Sequence, residues 1–196
     1  MDLPFSRKFR QRHPQLTRIV AVSATFLASF VIGLGFSGWS LVCRAGACPS
    51  VDVLDQYQPR QTSKLYSADG RFIAELGLER RTLLKIDQIP PLVKNAFVLT
   101  EDKRFYQHSG VDWYRVPGAL LTDIKRRSFA EGFSTITMQL ARNIFPERLT
   151  RDKSPVRKLK EIKVARAIER KYSKDRILEL YLNQIALGNG AYGIET

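Results

Sequence analysis

The sequence predicts a mainly helical domain behind one membrane-spanning helix, and three observations lead to this prediction. Residues 19–42 carry no charged side chain, which makes an apolar stretch of 24 residues near the N-terminus. Beyond Pro90-Pro91 the apolar residues recur at helical spacing, and Ser154-Pro155 is a typical helix start. One short β-hairpin is expected around Ala68-Asp69-Gly70, because this turn signal separates two short apolar runs.

Length, composition and charge limit the possible classes of protein. The chain has 196 residues, an apolar fraction of 44% and a net charge of +13. This length accommodates one domain with a short appendage, and the composition excludes disordered, collagen-like and coiled-coil chains. The excess charge is concentrated in two blocks, residues 1–18 and 142–176. We therefore expect the two basic blocks to have different roles.

The apolar stretch predicts a membrane anchor with the rest of the chain exported. A 24-residue helix is ~36 Å long, enough to cross a ~30 Å hydrocarbon core. Residues 1–18, with five basic side chains, are expected to be a cytoplasmic tail, and Trp39 an anchor at the far interface. A cleaved signal peptide is the alternative, since Ala45-Gly46-Ala47 resembles a cleavage site. An exported domain meets no DNA, so no nucleic-acid partner is expected.

Residues 43–62 are interpreted as a linker or neck, and residues 63–196 as the functional domain. The neck is polar and contains prolines. It begins with Cys43 and Cys48, the chain's only cysteines, which have no neighbouring residues at metal-ligand spacing. An oxidising compartment would permit a disulfide between them.

Glu101 is the first candidate for chemistry. It follows Val93 and Phe97 at helical spacing and precedes Phe105, so an acid occupies a position on an otherwise apolar stripe. A carboxylate in apolar surroundings binds a proton more tightly than in water, as a general base near neutral pH requires. The alternative is a structural role, in which Glu101 is paired with Lys103, Arg104 or a helix end.

Two later segments carry basic clusters. Residues 113–129 combine an apolar body with Lys125-Arg126-Arg127, a pattern that fits a segment dipping into lipid headgroups and equally an amphipathic helix on the core. Arg157, Lys158 and Lys160 lie at the start of a predicted helix, where cations and the helix dipole would hold an anion such as a pyrophosphate. Arg157 and Glu161 stand four residues apart, as an ion pair on one stripe would.

Four ordered motifs carry a resemblance to a known family. The run 101–110 resembles the EDxxFxxHxG motif of the peptidoglycan glycosyltransferases, found in class A penicillin-binding proteins and their monofunctional relatives. The runs 132–139, 157–161 and 177–183 resemble the family's GxSTxTQQ, RKxxE and ILExYLN motifs. Met138 and Arg142 depart from the family's usual Gln and Lys. The chain stops within the family's fifth motif, so it is expected to be C-terminally truncated, and it carries no transpeptidase motifs.

The resemblance implies a mainly α, lysozyme-like domain in two lobes and an inverting transferase of bacterial cell-wall synthesis. Its substrate would be lipid II, polymerised into β-1,4 glycan with release of undecaprenyl pyrophosphate at the outer face of the plasma membrane. Glu101 would be the base, with Glu161 and Asp102 completing the catalytic set and a divalent metal, taken as Mg²⁺, assisting. The implied substrate-binding residues are Ser134, Thr135, Gln139, Arg142, Asn143, Lys153, Arg157, Lys158, Lys160 and His108.

The partners implied are lipid II, the growing glycan strand, the membrane and proteins of cell-wall synthesis or division. Two alternatives belong to other functional classes. A lysozyme-like hydrolase also needs paired acids, but it has no pyrophosphate for the cations to neutralise. A truncated, non-catalytic scaffold that binds lipid II would explain the early end of the fifth motif.

Overall fold

The computed structural model describes residues 11, 13–77, 80–126, 132–150, 152 and 154–195, without the side chains of 120 and 123–126. The chain divides into two compact units, Met1–Ala45 and Gly46–Thr196, which are described separately. The described residues form six α-helices and two small antiparallel sheets. The expected class, a mainly α domain with a small hairpin and an apolar N-terminal helix, is confirmed.

The first unit consists mainly of helix α1, Pro14–Leu41. Its most apolar window has a mean hydropathy of 2.2, and none of its residues is buried. By length and composition, α1 can cross a membrane. The helix begins five residues before the uncharged stretch, because Pro14 at its first turn starts the helix and Arg18 continues it. Cys43 and Cys48, which follow α1, are both disulfide-bonded.

Residues 51–55 of the neck pack within the second unit. Val51–Asp55 form a 3₁₀ turn whose Leu54 is fully buried in the core. The Lys171 ammonium donates to Asp52 Oδ1 and Asp55 Oδ2, each at 2.6 Å, and these contacts fasten the turn to a helix end. Residues 51–55 are therefore part of the domain's packing, although composition alone suggested a linker.

The hairpin pairs β1, Ser63–Tyr66, with β2, Phe72–Leu76. Gly70 adopts a φ of +82°, which glycine tolerates, and the turn closes through the Ser67 carbonyl and the Gly70 amide. A second, smaller hairpin joins β3, Ala186–Gly188, to β4, Ala191–Tyr192. Arg80 lies opposite Ala191 in a parallel bridge: its amide donates to the Gly190 carbonyl and its carbonyl accepts from the Tyr192 amide, which ties the chain before α2 to this C-terminal hairpin.

Five helices build the domain around one core: α2 (Pro91–Glu101), α3 (Arg115–Arg126), α4 (Ile136–Ile144), α5 (Pro155–Lys171) and α6 (Lys174–Gln184). Helix α4 packs against both α5 and α6. Ser154 caps α5 as expected, its hydroxyl accepting from the Arg157 amide at 3.2 Å. The central helix of the domain is thus α4, which begins within the second sequence motif.

Helix α2 ends earlier than the apolar spacing suggested. It stops at Glu101, because Asp102 leaves the helical region with φ −153° and ψ 72°. Phe105 lies in a separate 3₁₀ turn, Phe105–Gln107, and is fully buried as a packing residue. The stripe that joined Glu101 to Phe105 is therefore not one helix face, and Glu101 is the last residue of its helix.

Gly110 allows the loop after α2 to lie directly on α5. Its φ is +92°, and a Cβ built there would be 3.0 Å from the Ala165 backbone carbon. We predict that Gly110→Ala lowers the free energy of unfolding by about 2 kcal/mol or more, because it adds backbone strain and a backbone clash. Chemical denaturation of the detergent-solubilised chain measures this.

Gly118→Ala is the matched control. Gly118 lies in α3 with nothing within 4 Å of a built Cβ, so alanine should leave stability equal or higher. Equal losses in both variants would contradict a specific role for Gly110.

Candidate active site

The Glu101 carboxylate lies at the C-terminal end of α2 and is half-buried. Gln139 of α4 donates from Nε2 to Glu101 Oε2 at 2.8 Å. Glu101 also lines a cavity of about 360 Å³ together with Thr100, Lys103, Arg104, Asp112 and Arg115. The acid therefore faces a space large enough for part of a ligand, and one of its oxygens is held by an amide.

Arg115 fixes the backbone beside this acid. Its guanidinium donates to the Glu101 carbonyl at 3.2 Å and to the Gly132 carbonyl at 2.7 Å. The first residues of α3 are thereby tied to the end of α2 and to the start of the second motif. Sequence analysis did not single out Arg115, since an arginine at the start of a helix carries no distinguishing pattern.

Asp102 is fully buried and joins the first motif to α4. It accepts from the Ile136 amide at 3.1 Å, and His108 Nε2 lies 3.0 Å from each of its two oxygens. Asp102 and His108 therefore act by holding the fold around Glu101. The family resemblance places Asp102 in the catalytic set and His108 among the substrate-binding residues, and neither residue lines this cavity.

Thr135 was expected to bind substrate, but its contacts belong to the fold. It is fully buried at the N-cap of α4, where its hydroxyl donates to the Gly110 carbonyl at 2.8 Å and accepts from the Met138 amide. The described contacts of the Thr135 hydroxyl are therefore contacts within the fold, while substrate binding by Thr135 stays a prediction. A single residue cannot reveal this from sequence, because Gly110 is 25 positions away.

A cluster of cations surrounds the buried carboxylate of Glu161. Arg157 hydrogen-bonds to Glu161, while Lys158 Nζ lies 3.2 Å from Oε2 and Arg142 lies 3.6 Å from Oε1. The Glu161 side chain is 0% exposed, whereas those of Lys158 and Arg142 are 18% and 19% exposed. Three cations around one carboxylate leave positive charge near the surface. Arg157, Lys158 and Arg142 around Glu161 form the cation cluster.

Lys158 also connects the cation cluster to the second motif. Its Nζ donates to Ser134 Oγ at 2.7 Å and lies 4.4 Å from the centre of the Phe133 ring. Burial lowers the pKa of Lys158 below its ordinary value, and the charge of Glu161 opposes that shift. A nearby anion would stabilise the charged form in the same way as Glu161.

Helix α4 joins the acid to the cation cluster. Gln139, which contacts Glu101, and Arg142, which contacts Glu161, are three residues apart on this helix and therefore share one side of it. The N-terminus of α4 is held by Asp102 and Thr135. A carboxylate and a group of cations are thus fixed on one rigid element.

The remaining candidates lie elsewhere. Asn143 lines a different cavity, of about 520 Å³, with Arg81 and Gln184 among its neighbours. Lys160 is partly buried and forms no ion pair with the part of the chain that the structure describes. Lys153 lies outside the described residues. Within the described ranges, no hydrogen bond or ion pair connects Asn143 or Lys160 to Glu101.

The residues do not fit a metal held by the protein. Among the described side chains, no group of three or more His, Cys, Asp or Glu could hold an ion. Glu161, an acid of the implied catalytic set, is surrounded by Arg157, Lys158 and Arg142, whose charges repel a divalent cation. No chemical step is therefore assigned to a protein-bound metal.

Comparison with known proteins identifies the family of this chain. The family described as Transglycosylase matches residues 69–196. The chain belongs to the transglycosylase family. Penicillin-binding protein 1A of Aquifex aeolicus (strain VF5) is 44% identical over 147 residues, which cover 75% of this chain and 20% of that protein.

Two further relatives support the same family assignment. Penicillin-binding protein 1A of Neisseria gonorrhoeae is 42% identical over 168 residues, 86% of this chain and 21% of that protein. Penicillin-binding protein 1A/1B of Bacillus subtilis (strain 168) is 42% identical over 170 residues, 87% of this chain and 18% of that protein. The chain spans about a fifth of the length of the curated relatives it matches.

The fourth motif of this transglycosylase chain contacts the irregular segment before α2. Asn183 accepts from the Leu84 amide at 2.9 Å and donates to the Leu84 carbonyl at 2.7 Å. Glu179 accepts from the Ile86 amide at 2.9 Å. These two polar residues of α6 therefore satisfy backbone groups of an irregular segment and contribute to the fold.

Glu161 should be needed for stability as well as for organising the cations. We predict that Glu161→Gln lowers the free energy of unfolding by about 3 kcal/mol or more, because it leaves Arg157 and Lys158 partly buried without their counter-charge. Asp69→Asn is the control, since Asp69 pairs with Arg71 on the exposed hairpin and should cause no measurable loss. Denaturant unfolding of the two variants measures both values, and an unchanged Glu161→Gln midpoint would contradict this role for the cation cluster.

Proposed function

We propose that this domain is a peptidoglycan glycosyltransferase that polymerises lipid II into β-1,4-linked glycan strands and releases undecaprenyl pyrophosphate. The observation that carries the proposal is that α4 fixes a half-exposed acid and a cation cluster together. An acid suits deprotonation of a sugar hydroxyl, and cations suit a pyrophosphate leaving group. A glycan hydrolase would have no use for the second feature.

Glu101 is the proposed general base. It takes the proton from the 4-hydroxyl of the acceptor N-acetylglucosamine while that oxygen attacks the anomeric carbon of the donor. The bond from the anomeric carbon to the phosphate oxygen breaks, and its electron pair leaves with the pyrophosphate. Attack opposite the leaving group converts an α-linked pyrophosphate into a β-glycosidic bond, so the reaction inverts configuration.

The cation cluster is the proposed partner of the leaving group. Arg157, Lys158 and Arg142 are held by Glu161 before any substrate binds, so little reorganisation is needed when negative charge develops. Lys160, near the start of the same helix, would add to the field. Mg²⁺ enters the proposal only as a counter-ion of the substrate's own pyrophosphate, and no step depends on it.

Exposed aromatic side chains support a membrane-surface substrate. Trp113 is 59% exposed and Tyr114 is 85% exposed just before α3, and Leu121 is 61% exposed within the helix. Such side chains favour the headgroup region of a bilayer. We propose that the N-terminus is cytoplasmic and the domain lies outside the plasma membrane, where proteins of cell-wall synthesis or division would meet it.

Glu101→Gln tests the proposed base. The amide keeps the shape of the side chain but cannot accept the proton, so we expect polymerisation to fall by about 100-fold or more. Labelled lipid II is incubated with the detergent-solubilised chain and Mg²⁺, and the glycan product is separated by size. Glu75→Gln on the hairpin is the matched control and should keep full activity.

Each alternative function has its own outcome in this assay. Shortening of preformed glycan, with no polymer from lipid II, would indicate a hydrolase. Binding of lipid II without turnover by the wild-type chain would indicate a non-catalytic scaffold. Equal amounts of polymer from wild type and Glu101→Gln would contradict the assignment of Glu101 as the base.

A further inference from the structure

We propose that Tyr181 is a positioning residue for the reaction, and that it acts on Glu101 through the side chain of Gln139. This inference rests on the proposed function. The sequence motifs include Tyr181 without a role, and its place on an apolar stripe of α6 suggests only a core residue. The structure adds a hydrogen-bonded connection from its hydroxyl to the proposed base.

The connection has two hydrogen bonds. The Tyr181 hydroxyl donates to Gln139 Oε1 at 3.3 Å, and Gln139 Nε2 donates to Glu101 Oε2 at 2.8 Å. Tyr181 itself is 3% exposed, and its ring meets that of Phe97 edge-on at 6.4 Å between centroids. Because the phenol ring is packed on α2 and α6 at once, its hydroxyl occupies a fixed point.

The hydroxyl fixes which way the Gln139 amide faces. An amide has one accepting oxygen and one donating nitrogen, and a carboxylate can only accept. With the oxygen held by Tyr181, the nitrogen faces Glu101; the reversed amide would set its carbonyl oxygen against a negative carboxylate. Tyr181 therefore helps to keep a donor on Glu101 Oε2, which leaves Oε1 to take the proton from the acceptor sugar.

Tyr181 keeps its proton under the conditions of the reaction. Burial raises the pKa of Tyr181, and the negative charge of Glu101 raises it further, while Arg142 opposes the shift. The hydroxyl is therefore a donor throughout the neutral range. Its direction of donation is stable, because a deprotonated phenolate would repel the carbonyl oxygen of Gln139.

Under this inference Gln139 is a positioning residue for Glu101, in addition to the substrate-binding role that the family resemblance implies. Its amide oxygen accepts from Tyr181 and its amide nitrogen donates to Glu101. A residue that orients the base affects the rate of the proton transfer more than the binding of lipid II. This separates positioning from substrate contact in kinetic terms.

The test begins with Tyr181→Phe, which removes the hydroxyl and keeps the packed ring. We expect kcat for glycan polymerisation to fall about tenfold while KM for lipid II stays within about twofold. Tyr172→Phe is the matched control: the Tyr172 hydroxyl binds Asp55 at 2.7 Å in the neck, so polymerisation should not change. Rates are normalised to the folded fraction measured by near-ultraviolet circular dichroism.

A double-mutant cycle distinguishes positioning from general loosening of the core. Gln139→Leu removes the middle of the connection, so Tyr181→Phe should then lower kcat by less than about twofold. Independent, multiplicative losses in the double variant would overturn the proposal, as would a Tyr181→Phe chain with wild-type kcat. If the wild-type chain makes no polymer, both the proposed function and this inference are overturned. If the wild-type chain is active and Tyr181→Phe has the same kcat, only the inference is overturned.

Discussion

The hydrogen bonds of the Asp102 carboxylate are the interaction on which the rest of the site depends. Asp102 is 0% exposed, ends helix α2 and accepts from the first backbone amide of α4 as well as facing His108. A carboxylate removed from water is costly unless its oxygens are matched, so this arrangement tolerates little displacement. It leaves Glu101 as the last residue of α2 and sets α4, with Gln139 and Arg142, at a fixed place beside it.

The two charged halves of the site are kept apart by the same helix. If the cations of α5 paired directly with Glu101, the proposed base would be weaker, because a nearby positive charge lowers the proton affinity of a carboxylate. Glu161 prevents this, because it is buried among Arg157, Lys158 and Arg142 and holds them on its own side. The uncharged amide of Gln139 is the group that contacts Glu101 instead. A neutral donor orients a carboxylate at less cost to its basicity than an ion pair does.

Local signals in the sequence predicted much of the fold, whereas the site required contacts distant in sequence. The hairpin around Gly70, the helix start at Ser154 and the apolar helix α1 follow from short-range chemistry. The end of α2 could not be predicted from spacing, because Asp102 leaves the helix to reach an amide 34 residues away. The bonds of Lys158 to Ser134 and of Tyr181 to Gln139, 24 and 42 residues apart, are equally invisible to periodicity. An apolar stripe that contains a tyrosine predicts burial and says nothing of its hydroxyl.

The partial burial of the cation cluster bears on selectivity under the proposed function. Lys158 is held where burial lowers its pKa, so its charged form is less stable there than in water. Glu161 supplies one negative charge for three cations, and an incoming pyrophosphate supplies further negative charge. A ligand with a neutral or singly charged headgroup would stabilise the charged form of Lys158 less, and its affinity would be correspondingly lower. The same charge that binds the pyrophosphate of the donor also stabilises it as a leaving group, and the second effect grows as the glycosidic carbon–oxygen bond breaks. The cluster therefore favours the transition state over the bound substrate, which is the condition for catalysis rather than for tight storage of lipid.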